Sequence, residues 1–508
     1  MPKVQISLQE LAALAKDHRV IPVIETLFSG SETPLSIFEK LAADKEGSFL
    51  LESAEQGVWA RYSFVGVNNR GTLVQSNDGQ VSWISNGGAT PLPNPADELD
   101  STALGALEQV QAAWASAVPA GLPPLTSGLV GVMGWDLIRE IENLPPALPK
   151  DFPAPVMAFA MFQDLVILDH QTSSLMLVSN VFVSDGVSLE QAYQEALDRI
   201  DTMRGNLFKS TPTLLADLDL NTAATPTHRV SHEAYLAAVE KSKHFVRIGD
   251  VFQVVISQRF DIACQASPLD VYRVLRALNP SPYMYLLNFT DEDGPYAVVG
   301  SSPEALVKVN ERHVVTHPIA GSRPRGANTD FDLANAESLL SDNKEKAEHL
   351  MLVDLARNDL LKVCQPASVA VTEFMQVHRF SHIMHLVSTV EGELLDDMTP
   401  IDVFRATFPA GTLSGAPKPR ALEIIDELEE ANRGIFGGVV GYFDFAGNAD
   451  LAIAIRTAFI RDNVAHLQAG AGIVLDSVPE SEYQETITKA GAPLRAVVAA
   501  NAMIRRTN

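Results

Sequence analysis

The chain has 508 residues, with 38 Lys and Arg against 63 Asp and Glu, so its formal net charge is −25. This acidity excludes a nucleic-acid-binding surface, which needs clustered basic charge to displace counterions, and it also argues against an anionic substrate. The 46% of hydrophobic residues is enough to bury large cores, and the length predicts about two to four domains.

Targeting and redox signals are sparse. The first twenty residues carry charges every few positions, and no apolar run long enough to span a bilayer follows them. Cys264 and Cys364 are too few for a disulfide framework or a cysteine zinc site. We therefore expect a cytoplasmic protein with reduced thiols that binds neither membranes nor nucleic acid.

The amino-terminal part of the chain alternates strand patterns with helix patterns. A helix pattern precedes the strand VIPVIETLF (20–28), and further helices are predicted over 34–43 and about 102–117. SGLVGVMGWDLIREIE (127–142) indicates a strand that passes through glycine into a helix. The other strand patterns are RYSFVGV (61–67), GTLVQS (71–76), QVSWIS (80–85), AFAMFQDLVILDH (158–170) and SSLMLVSNVFV (173–183).

Residues 205–231 differ in composition from the segments on either side. They are rich in Thr, Pro, Asp and Asn, and they show little periodicity. This composition predicts a linker. It separates an amino-terminal region, 20–165, from a second region, 232–500.

The second region continues the mixture of strands and helices. It begins with a helix pattern that Ser231 caps and Gly249 ends, and the strand VFQVVISQRF (251–260) follows. A long helix is predicted through KEKAEHLMLVDLARNDL (344–360). Adjacent pairs of short strands with helices between them predict an α+β fold, with antiparallel sheets that carry helices on their outer faces.

Two Glu-x-x-Glu pairs lie in predicted helices. Glu345 and Glu348 share one helix face because residues three apart are neighbours, and Glu482 and Glu485 repeat the spacing. Four carboxylates on two such faces are suited to a hard divalent cation such as Mg²⁺, which takes one or two protein carboxylates plus water and substrate oxygens. The alternative is two solvated helix faces.

Three segments combine glycine with other small residues: 320–326, 409–421 and 468–477. Glycine lets backbone N–H groups approach an anion closely, so each segment is a candidate anion-binding loop. None matches a phosphate-binding or dinucleotide-binding motif. The alternatives are tight turns and, at 409–421, a turn that leads into a helix.

Three single residues are candidates for acid, base and anion-binding roles. Glu304 follows a strand and a turn, where a carboxyl group can point into a cleft; a surface glutamate is the alternative. His385 lies among apolar residues in a predicted strand, where a hydrogen-bonded core histidine is the alternative. Arg456 ends the apolar run LAIAI (451–455) of a predicted buried strand, and a buried arginine is costly unless it meets an anion such as a carboxylate or phosphate.

Taken together and in this order, the motifs resemble the chorismate-utilising enzymes, and among them the large subunits (component I) of anthranilate synthase. The resemblance covers nearly the whole chain and is most extensive from about 232 to 500. It implies large antiparallel sheets packed as a β-sandwich with helices on the outer faces. The motifs that carry it are GDVFQVVISQRF (249–260), PIAGSRPRG (318–326), EHLMLVDLARNDL (348–360), ATFPAGTLSGAPKPRA (406–421), RGIFGGVVGYFDF (433–445), QAGAGIVLDSVPESEYQET (468–486) and, more sparsely, FLLES (49–53), RYSFVG (61–66) and GLVGVMGWD (128–136).

The resemblance implies a reaction, a step of tryptophan biosynthesis, and assigns residues to it. Ammonia adds at C2 of chorismate while the 4-hydroxyl group leaves, and pyruvate is then eliminated so that the ring becomes aromatic. Glu304 resembles the acid that protonates the departing hydroxyl group, a role that needs a raised pKa. His385 resembles the histidine that serves the proton transfers of pyruvate elimination, and Gln253 and Thr412 are suited to orienting ammonia.

The resemblance also implies a metal site and a substrate pocket. Mg²⁺ would sit on Glu348 and Glu485 and neutralise the ring carboxylate, with Glu345 and Glu482 holding its waters. Such a cation would reconcile an acidic chain with a dicarboxylate substrate, because a bound cation inverts the local field. The residues expected to contact chorismate are Gly321, Ser322, Phe436, Arg456, Gly470, Ala471, Gly472 and Lys489.

Four positions bear on which member of the family the chain resembles most. Isochorismate and salicylate synthases carry a lysine base where this chain has Gln253, and aminodeoxychorismate synthases often carry a nucleophilic lysine where it has Ala320. Phe436 stands where tyrosine is frequent, and Ser322 where threonine is common. Anthranilate synthase is the leading hypothesis; the alternatives are component I of aminodeoxychorismate synthase, in the folate pathway, and a non-catalytic tryptophan-sensing relative.

The resemblance finally implies a partner subunit and an inhibitor. Neither Cys264 nor Cys364 has the Gly-x-Cys-x-Gly setting of a glutaminase nucleophile, so a separate glutamine amidotransferase subunit (component II) is expected, in a heterotetramer. Feedback inhibition by L-tryptophan is expected at a site built from LLES (50–53) and NPSPYMY (279–285). Its residues are Glu52, Ser53, Asn279, Pro282, Tyr283 and Met284.

Overall fold

The computed structural model describes residues 6–43, 45–53, 61–117, 121–184, 186–210, 215–326, 328–379 and 383–505. Residues 1–5 and residues 211–214 of the predicted linker lie outside these ranges. None of the helices in the described part of the chain is long and apolar enough to cross a bilayer. The α-helices are α1 (Leu8–Leu14), α2 (Pro34–Leu41), α3 (Ala103–Ala113), α4 (Leu189–Leu207), α5 (His232–Ile248), α6 (Pro268–Leu278), α7 (Thr329–Ser341), α8 (Asn343–Leu361), α9 (Pro400–Thr407), α10 (Lys418–Leu428) and α11 (Pro479–Asn501).

In the described part of the chain, 21 strands form one hydrogen-bonded sheet. A separate two-stranded sheet pairs β8 with β23. The strands are β1 (Val20–Phe28), β2 (Ser48–Glu52), β3 (Tyr62–Gln75), β4 (Val81–Ser85), β5 (Gly128–Met133), β6 (Met157–Asp169), β7 (Ser174–Phe182), β8 (Ala216–Asp217), β9 (Thr227–His228), β10 (Gln253–Ala263), β11 (Tyr283–Asp291), β12 (Gly294–Ser302), β13 (Ala305–Asn310), β14 (His313–Thr316), β15 (Ile319–Pro324), β16 (Ala370–Arg379), β17 (Ile383–Glu393), β18 (Gly415–Ala416), β19 (Val439–Asp444), β20 (Ala449–Ile453), β21 (Thr457–Arg461), β22 (Val464–Ile473) and β23 (Ile504–Arg505).

The helix boundaries follow from local capping. Ser231 accepts a hydrogen bond from the backbone of Ala234 at 3.1 Å and starts α5, which ends at Gly249 in the left-handed region (φ 87°). Asp342 caps α8 through the amides of Lys344 and Glu345. Both predicted helices are therefore confirmed, and the second fixes the direction in which its Glu-x-x-Glu pair points.

The strands enclose one core and the helices cover others. One buried cluster contains strand and loop residues alone, including Phe49, Phe162, Leu287 and Phe459, so it lies between sheet layers. Two larger clusters combine strand residues with helix residues, such as Phe404 of α9. This is the predicted α+β sandwich with helices outside, and every pairing between the strands named above is antiparallel.

Strands from the two halves of the sequence pair with each other. β2 lies beside β11, with Glu52 opposite Met284, and β5 lies beside β19, with Gly131 opposite Gly441. A Cβ on Gly131 would lie 1.9 Å from a backbone oxygen of β6, so this close approach requires glycine. The division at 205–231 stays a prediction, but the sheet itself is continuous across it.

Three predicted local structures were wrong. The glycine segments 320–326 and 468–477 were expected to be loops, whereas β15 and β22 extend through Pro324 and Ile473. Their neighbours β17 and β10 supply the hydrogen-bond ladder that composition alone does not reveal. Arg456 does not end a strand; it lies at φ 50° in the break between β20 and β21.

Candidate active site

The predicted acid lies at the junction of two strands. Glu304 occupies the turn between β12 and β13, and the loop between α9 and α10 brings Thr412 beside it. The Thr412 hydroxyl donates to Glu304 Oε2 at 3.2 Å. Glu304 and Thr412 also line a cavity of about 70 Å³. The structure thus brings together two residues that were predicted separately.

The surroundings of Glu304 favour its protonated form. Burial raises the pKa of this carboxyl group, and the raise persists although Arg456, Lys489 and the Thr412 hydrogen bond each act to lower it. A carboxylic acid that keeps its proton above its ordinary pKa is suited to proton donation near neutral pH. Two cations and one hydroxyl group therefore define the electrostatic setting of the acid.

Arg456 is a partly buried cation close to Glu304. Burial lowers its pKa, and the nearby Glu304 carboxyl group acts in the opposite direction. Across the described residues, no side chain accepts a hydrogen bond from its guanidinium group. A desolvated guanidinium that donates to no described side chain is a candidate partner for a substrate carboxylate.

His385 and Ser322 face each other across two paired strands. The register of β15 and β17 places them opposite, with His385 Nδ1 2.9 Å from Ser322 Oγ and 3.1 Å from the carbonyl oxygen of Gly321. Burial lowers the pKa of the imidazole to about 4, and the charge of Arg456 acts in the same direction. The ring is therefore neutral at physiological pH and able to accept a proton.

Glu348 of α8 and Glu485 of α11 lie close enough for their charges to interact. Burial raises the pKa of Glu348, and the negative charges of Glu345 and Glu485 raise it further, while a hydrogen bond from Gln253 opposes them. The pKa of Glu482 is raised by burial and by Glu485. Carboxylates on two helices that raise each other's pKa repel each other, and a bound cation is predicted to reduce this repulsion.

The coupled carboxylates of α8 and α11 offer few protein ligands to a metal ion. In the described ranges no three His, Cys, Asp or Glu side chains converge as a ready metal cluster. Mg²⁺ needs only one or two carboxylates beside water and substrate oxygens, which Glu348 and Glu485 can supply. Lys489 lies 2.7 Å from Glu485 and occupies part of that negative field.

The glycine strand offers one edge of backbone to the site. Gly470, Ala471 and Gly472 of β22 pair with β10 on one side, whereas β21 pairs with β22 no further than Leu467. A Cβ on Gly472 would lie 2.2 Å from Gln253 Nε2, so glycine lets this amide reach the site. Lys489 donates to the carbonyl oxygen of Gly470 at 3.0 Å.

Phe436 and Gln253 complete the predicted set. Phe436 is buried, with its ring 5.7 Å from the Arg433 guanidinium carbon, and it lines a small cavity with Thr457. No described contact joins Phe436 to Glu304 or His385. Gln253 is buried, and its Oε1 atom has no hydrogen-bond partner in the described residues, so the amide oxygen is available to a ligand.

Arg323 is a site residue that the sequence reasoning missed. It donates to Glu345 Oε1 at 3.0 Å and to Asp342 at 2.8 Å, so it fixes the beginning of α8 against β15. A Cβ on Gly321 would lie 3.0 Å from Glu345 Oε2. The signal was a basic residue directly after Ser322 on a strand, which becomes informative only once the strand is known.

The two predicted feedback segments are adjacent in space. Met284 pairs with Glu52 across β11 and β2, although more than 200 positions separate them. Glu52 is buried, and Tyr272 and Arg276 of α6 donate to it at 2.5 and 3.2 Å. These two α6 residues were not predicted; their spacing of four positions on a helix that directly precedes NPSPYMY was the available signal.

The feedback segments carry several polar groups, and a neighbouring strand leads from them to Glu304. Ser53 Oγ is buried without a partner in the described residues. Asn279 donates to the Ser301 carbonyl oxygen at 3.4 Å. Tyr283, which pairs with Ser302, donates to Asp450 at 3.0 Å. Pro282, which directly precedes β11, is partly exposed. Strand β12 ends at the turn that carries Glu304.

Comparisons with known proteins agree with this architecture. The sequence profile of the chorismate binding enzyme family matches residues 47–495. Anthranilate synthase component 1 of Arthrobacter globiformis is 49% identical over 505 residues, 98% of this chain and 93% of that protein. The protein of the same name from Mycobacterium tuberculosis strain H37Rv is 46% identical over 506 residues, 98% of this chain and 96% of that protein.

Solved structures show the same similarity. Anthranilate synthase component I from Streptococcus pneumoniae TIGR4 superposes with a TM-score of 0.75 at 34% identity, covering 92% of this chain and 99% of that one. The menaquinone-specific isochorismate synthase from Escherichia coli shares the fold, with a TM-score of 0.68 at 19% identity over 96% of this chain and 98% of its own. The predicted resemblance is confirmed: the chain belongs to the chorismate binding enzyme family, within the group of anthranilate synthase component 1 proteins.

Proposed function

We propose that this chain is the large subunit of an anthranilate synthase and acts in the cytoplasm in tryptophan biosynthesis. It converts chorismate and ammonia to anthranilate, pyruvate and water. The observation that carries the proposal is the proximity of a partly buried acid with a raised pKa, Glu304, to Arg456, a cation that donates to no side chain of the described residues, in a chain 49% identical to a protein of that name.

The amination step uses Glu304 as the acid. Ammonia forms the new bond at C2 of the ring, and the 4-hydroxyl group leaves as water with the proton of Glu304. The added nitrogen then loses a proton, which restores the acid. Thr412, next to Glu304, and the unpartnered Oε1 atom of Gln253 accept hydrogen bonds from ammonia and orient its lone pair.

The elimination step uses His385 as the base. Its neutral imidazole takes the proton from C2 while the bond between the ring and the enolpyruvyl oxygen breaks. The departing enolpyruvate is protonated to pyruvate, and the ring becomes aromatic. The lowered pKa, about 4, keeps the imidazole free to accept that proton and limits how long it holds it.

The two carboxylates of chorismate need separate positive partners. Arg456, Lys489 and the backbone of Gly470 to Gly472 would bind the enolpyruvyl carboxylate, beside the Gly321 and Ser322 backbone. Mg²⁺ held by Glu348 and Glu485, with waters held by Glu345 and Glu482, would supply the charge that neutralises the ring carboxylate. Phe436 would contribute apolar contact without the hydrogen bond of a tyrosine.

Feedback inhibition by L-tryptophan is proposed at the junction of β2 and β11. Ser53 would bind the amino-acid head group, Glu52 would hold its segment through Tyr272, and Pro282 and Met284 would pack against indole. Tryptophan would favour a state in which the two halves no longer close on chorismate. Ser53→Phe is expected to keep activity and lose inhibition; unchanged inhibition in that variant would remove the site assignment.

Ammonia is proposed to come from a separate glutamine amidotransferase subunit, in a heterotetramer. Cys264 and Cys364 are both buried, and burial raises the pKa of each thiol to about 11. Thiols of this kind are poor nucleophiles at neutral pH, so neither is a glutaminase cysteine. The isolated chain should use ammonium salts and ignore glutamine.

The test of the reaction is direct. The purified chain, supplied with chorismate, Mg²⁺ and ammonium, should release fluorescent anthranilate and an equal amount of pyruvate. Omission of ammonium should stop both products. If chorismate is consumed without anthranilate, or is not consumed at all, the proposed function is wrong.

A further inference from the structure

A buried ion pair lies directly behind the proposed active site. The side chains of Arg433 and Glu429 are 1% and 5% exposed, and two hydrogen bonds of 2.6 and 2.8 Å join them. Neither residue contacts Glu304, Arg456 or His385 in the described structure. A buried pair of this kind is weak evidence for stability, because desolvation of two charges cancels much of their attraction.

The remaining donors of Arg433 hold two elements of the site. Nη1 donates to the carbonyl oxygen of Leu413, directly after Thr412, at 2.8 Å. Nη2 donates to the carbonyl oxygen of Val255, two residues after Gln253, also at 2.8 Å. One guanidinium group therefore ties the loop of the ammonia-orienting threonine to the strand of the ammonia-orienting glutamine.

Glu429 extends the connection to the glycine strand. Its Oε1 atom accepts from the backbone N–H of Ser257 at 2.8 Å and from the Ser257 hydroxyl at 2.7 Å. That hydroxyl in turn accepts from Gln468 Nε2 at 2.8 Å, at the beginning of the segment that leads to Gly470. Ser257 lies opposite Gly470 in the ladder of β10 and β22.

Aromatic rings close the remaining side of the guanidinium group. Its central carbon lies 4.3 Å from the ring centre of Trp135 and 5.7 Å from that of Phe436, the predicted substrate contact. Stacking and the planar set of donors are properties of arginine that lysine does not share. The hydrogen bonds and stacking contacts together leave the plane of Arg433 little freedom to turn.

We infer that Arg433, oriented by Glu429, is a positioning residue for the amination step. It sets the distance between Thr412 and Gln253, and through Ser257 it fixes the position of Gly470 in β22. This inference rests on the proposed function. Positions of reacting groups affect rates steeply, since a shift of about 1 Å can cost about a hundredfold. We expect the pair to serve geometry more than stability, because the desolvation of two charges cancels much of their attraction.

The test replaces the pair by apolar residues of similar volume, as Arg433→Met with Glu429→Leu. A merely structural pair would leave activity in proportion to the folded fraction. A positioning pair should lower kcat about tenfold or more, with the KM for chorismate within about threefold and an unfolding midpoint equal to or above that of the parent chain.

A matched control exists in the same sandwich. Arg461 and Asp291 form a second buried pair, 2% and 6% exposed and 2.7 Å apart, at the far ends of β21 and β11. Arg461→Met with Asp291→Leu should change the unfolding midpoint by a similar amount and leave kcat within about twofold. Equal losses of kcat in the two double variants would overturn the inference.

The pH profile adds a reading that a structural role would not change. Thr412 donates to Glu304, which also faces Arg456 and Lys489, and loss of that hydrogen bond should move the alkaline limb of kcat upward. The shift should disappear when the pair is replaced in a Thr412→Val background, because the bond is already gone. A shift of unchanged size in that background would contradict action through Thr412.

Hydrogen exchange tests the positioning without reference to the reaction. Segment 409–417 should exchange faster in the Arg433 and Glu429 double variant than in the parent chain, while the control pair leaves it unchanged. Unaltered protection of this segment would overturn the inference even if the parent chain proved active. If the parent chain is inactive but segment 409–417 exchanges faster in the double variant, the proposed function is wrong. The effect of Arg433 and Glu429 on the position of this segment is then still shown.

Discussion

Glu304→Gln is the most direct test of the acid. The amide has nearly the same volume and keeps an oxygen for the Thr412 hydroxyl, which lies 3.2 Å from Oε2. It cannot release a proton to the leaving hydroxyl group. The side chains that act on the pKa of Glu304, namely Thr412, Arg456 and Lys489, all remain in the variant.

The expected loss follows from the role of the acid. A positioned general acid contributes about 10²- to 10⁴-fold to a rate, which corresponds to about 3 to 5 kcal/mol of activation free energy. We expect kcat for anthranilate to fall within this range while the KM for chorismate changes little, because Arg456 and Lys489 remain. In the parent chain kcat should fall as the pH rises through the raised pKa of Glu304; the variant should lack this limb.

The stability of Glu304→Gln should be higher than that of the parent chain, although its activity is lower. The pKa of Glu304 is raised in the folded state, so the unfolded chain loses its proton first and the free energy of unfolding decreases as the pH rises above about 4.5. The variant has no proton to lose and should gain in unfolding midpoint over the parent chain between pH 4 and neutrality. Thermal unfolding at several pH values measures this difference.

The assay follows anthranilate fluorescence and pyruvate in parallel, with ammonium as the nitrogen source. Glu311→Gln is the matched control, since Glu311 is an exposed glutamate just beyond β13. It should leave kcat and the pH profile unchanged. A kcat for Glu304→Gln within about threefold of the parent value would refute the assignment of the acid.

Three further predictions concern binding, metal and pH. Arg456→Met should raise the KM for chorismate by about tenfold or more and lower kcat less, as steady-state kinetics will measure; an unchanged KM would exclude it as a carboxylate partner. A chelator should abolish chorismate binding in calorimetry while the circular dichroism spectrum persists, and tight binding in chelator would exclude a metal bridge to substrate. Burial raises the pKa of Asp444 to about 6, so unfolding free energy should fall by up to about 3 kcal/mol between pH 4 and 7, whereas Asp444→Asn should show a flatter profile in denaturant titrations.

Much of the site was predictable where its chemistry is local. The Glu-x-x-Glu spacing placed Glu345 and Glu348 on one helix face, and Ser231 and Gly249 marked the ends of α5. These features depend on contacts within about four residues, which composition and spacing record directly. Glu304 was a candidate in the same way, as a carboxylate after a turn, and only the family resemblance implied its role as the acid.

The wrong local predictions have one cause. Segments 320–326 and 468–477 are rich in glycine, and glycine on its own favours turns. Their strands exist because β17 and β10, far away in sequence, supply hydrogen-bond partners. Between β22 and β10 the close approach also requires glycine. Propensity describes one segment at a time, whereas a ladder depends on two.

The sequence by itself determined the helices, the alternating strands, the acidic surface and, through its motifs, the family. Only the tertiary structure decided which charged groups meet. It placed Glu52 opposite Met284, brought Arg456 close to Glu304, and joined Arg433 to Leu413 and Val255. The physical reason is that burial and pairing depend on distances in space between segments that are far apart in the sequence. Those distances set the pKa values of a site and decide which of its hydrogen-bonding groups are available to a ligand.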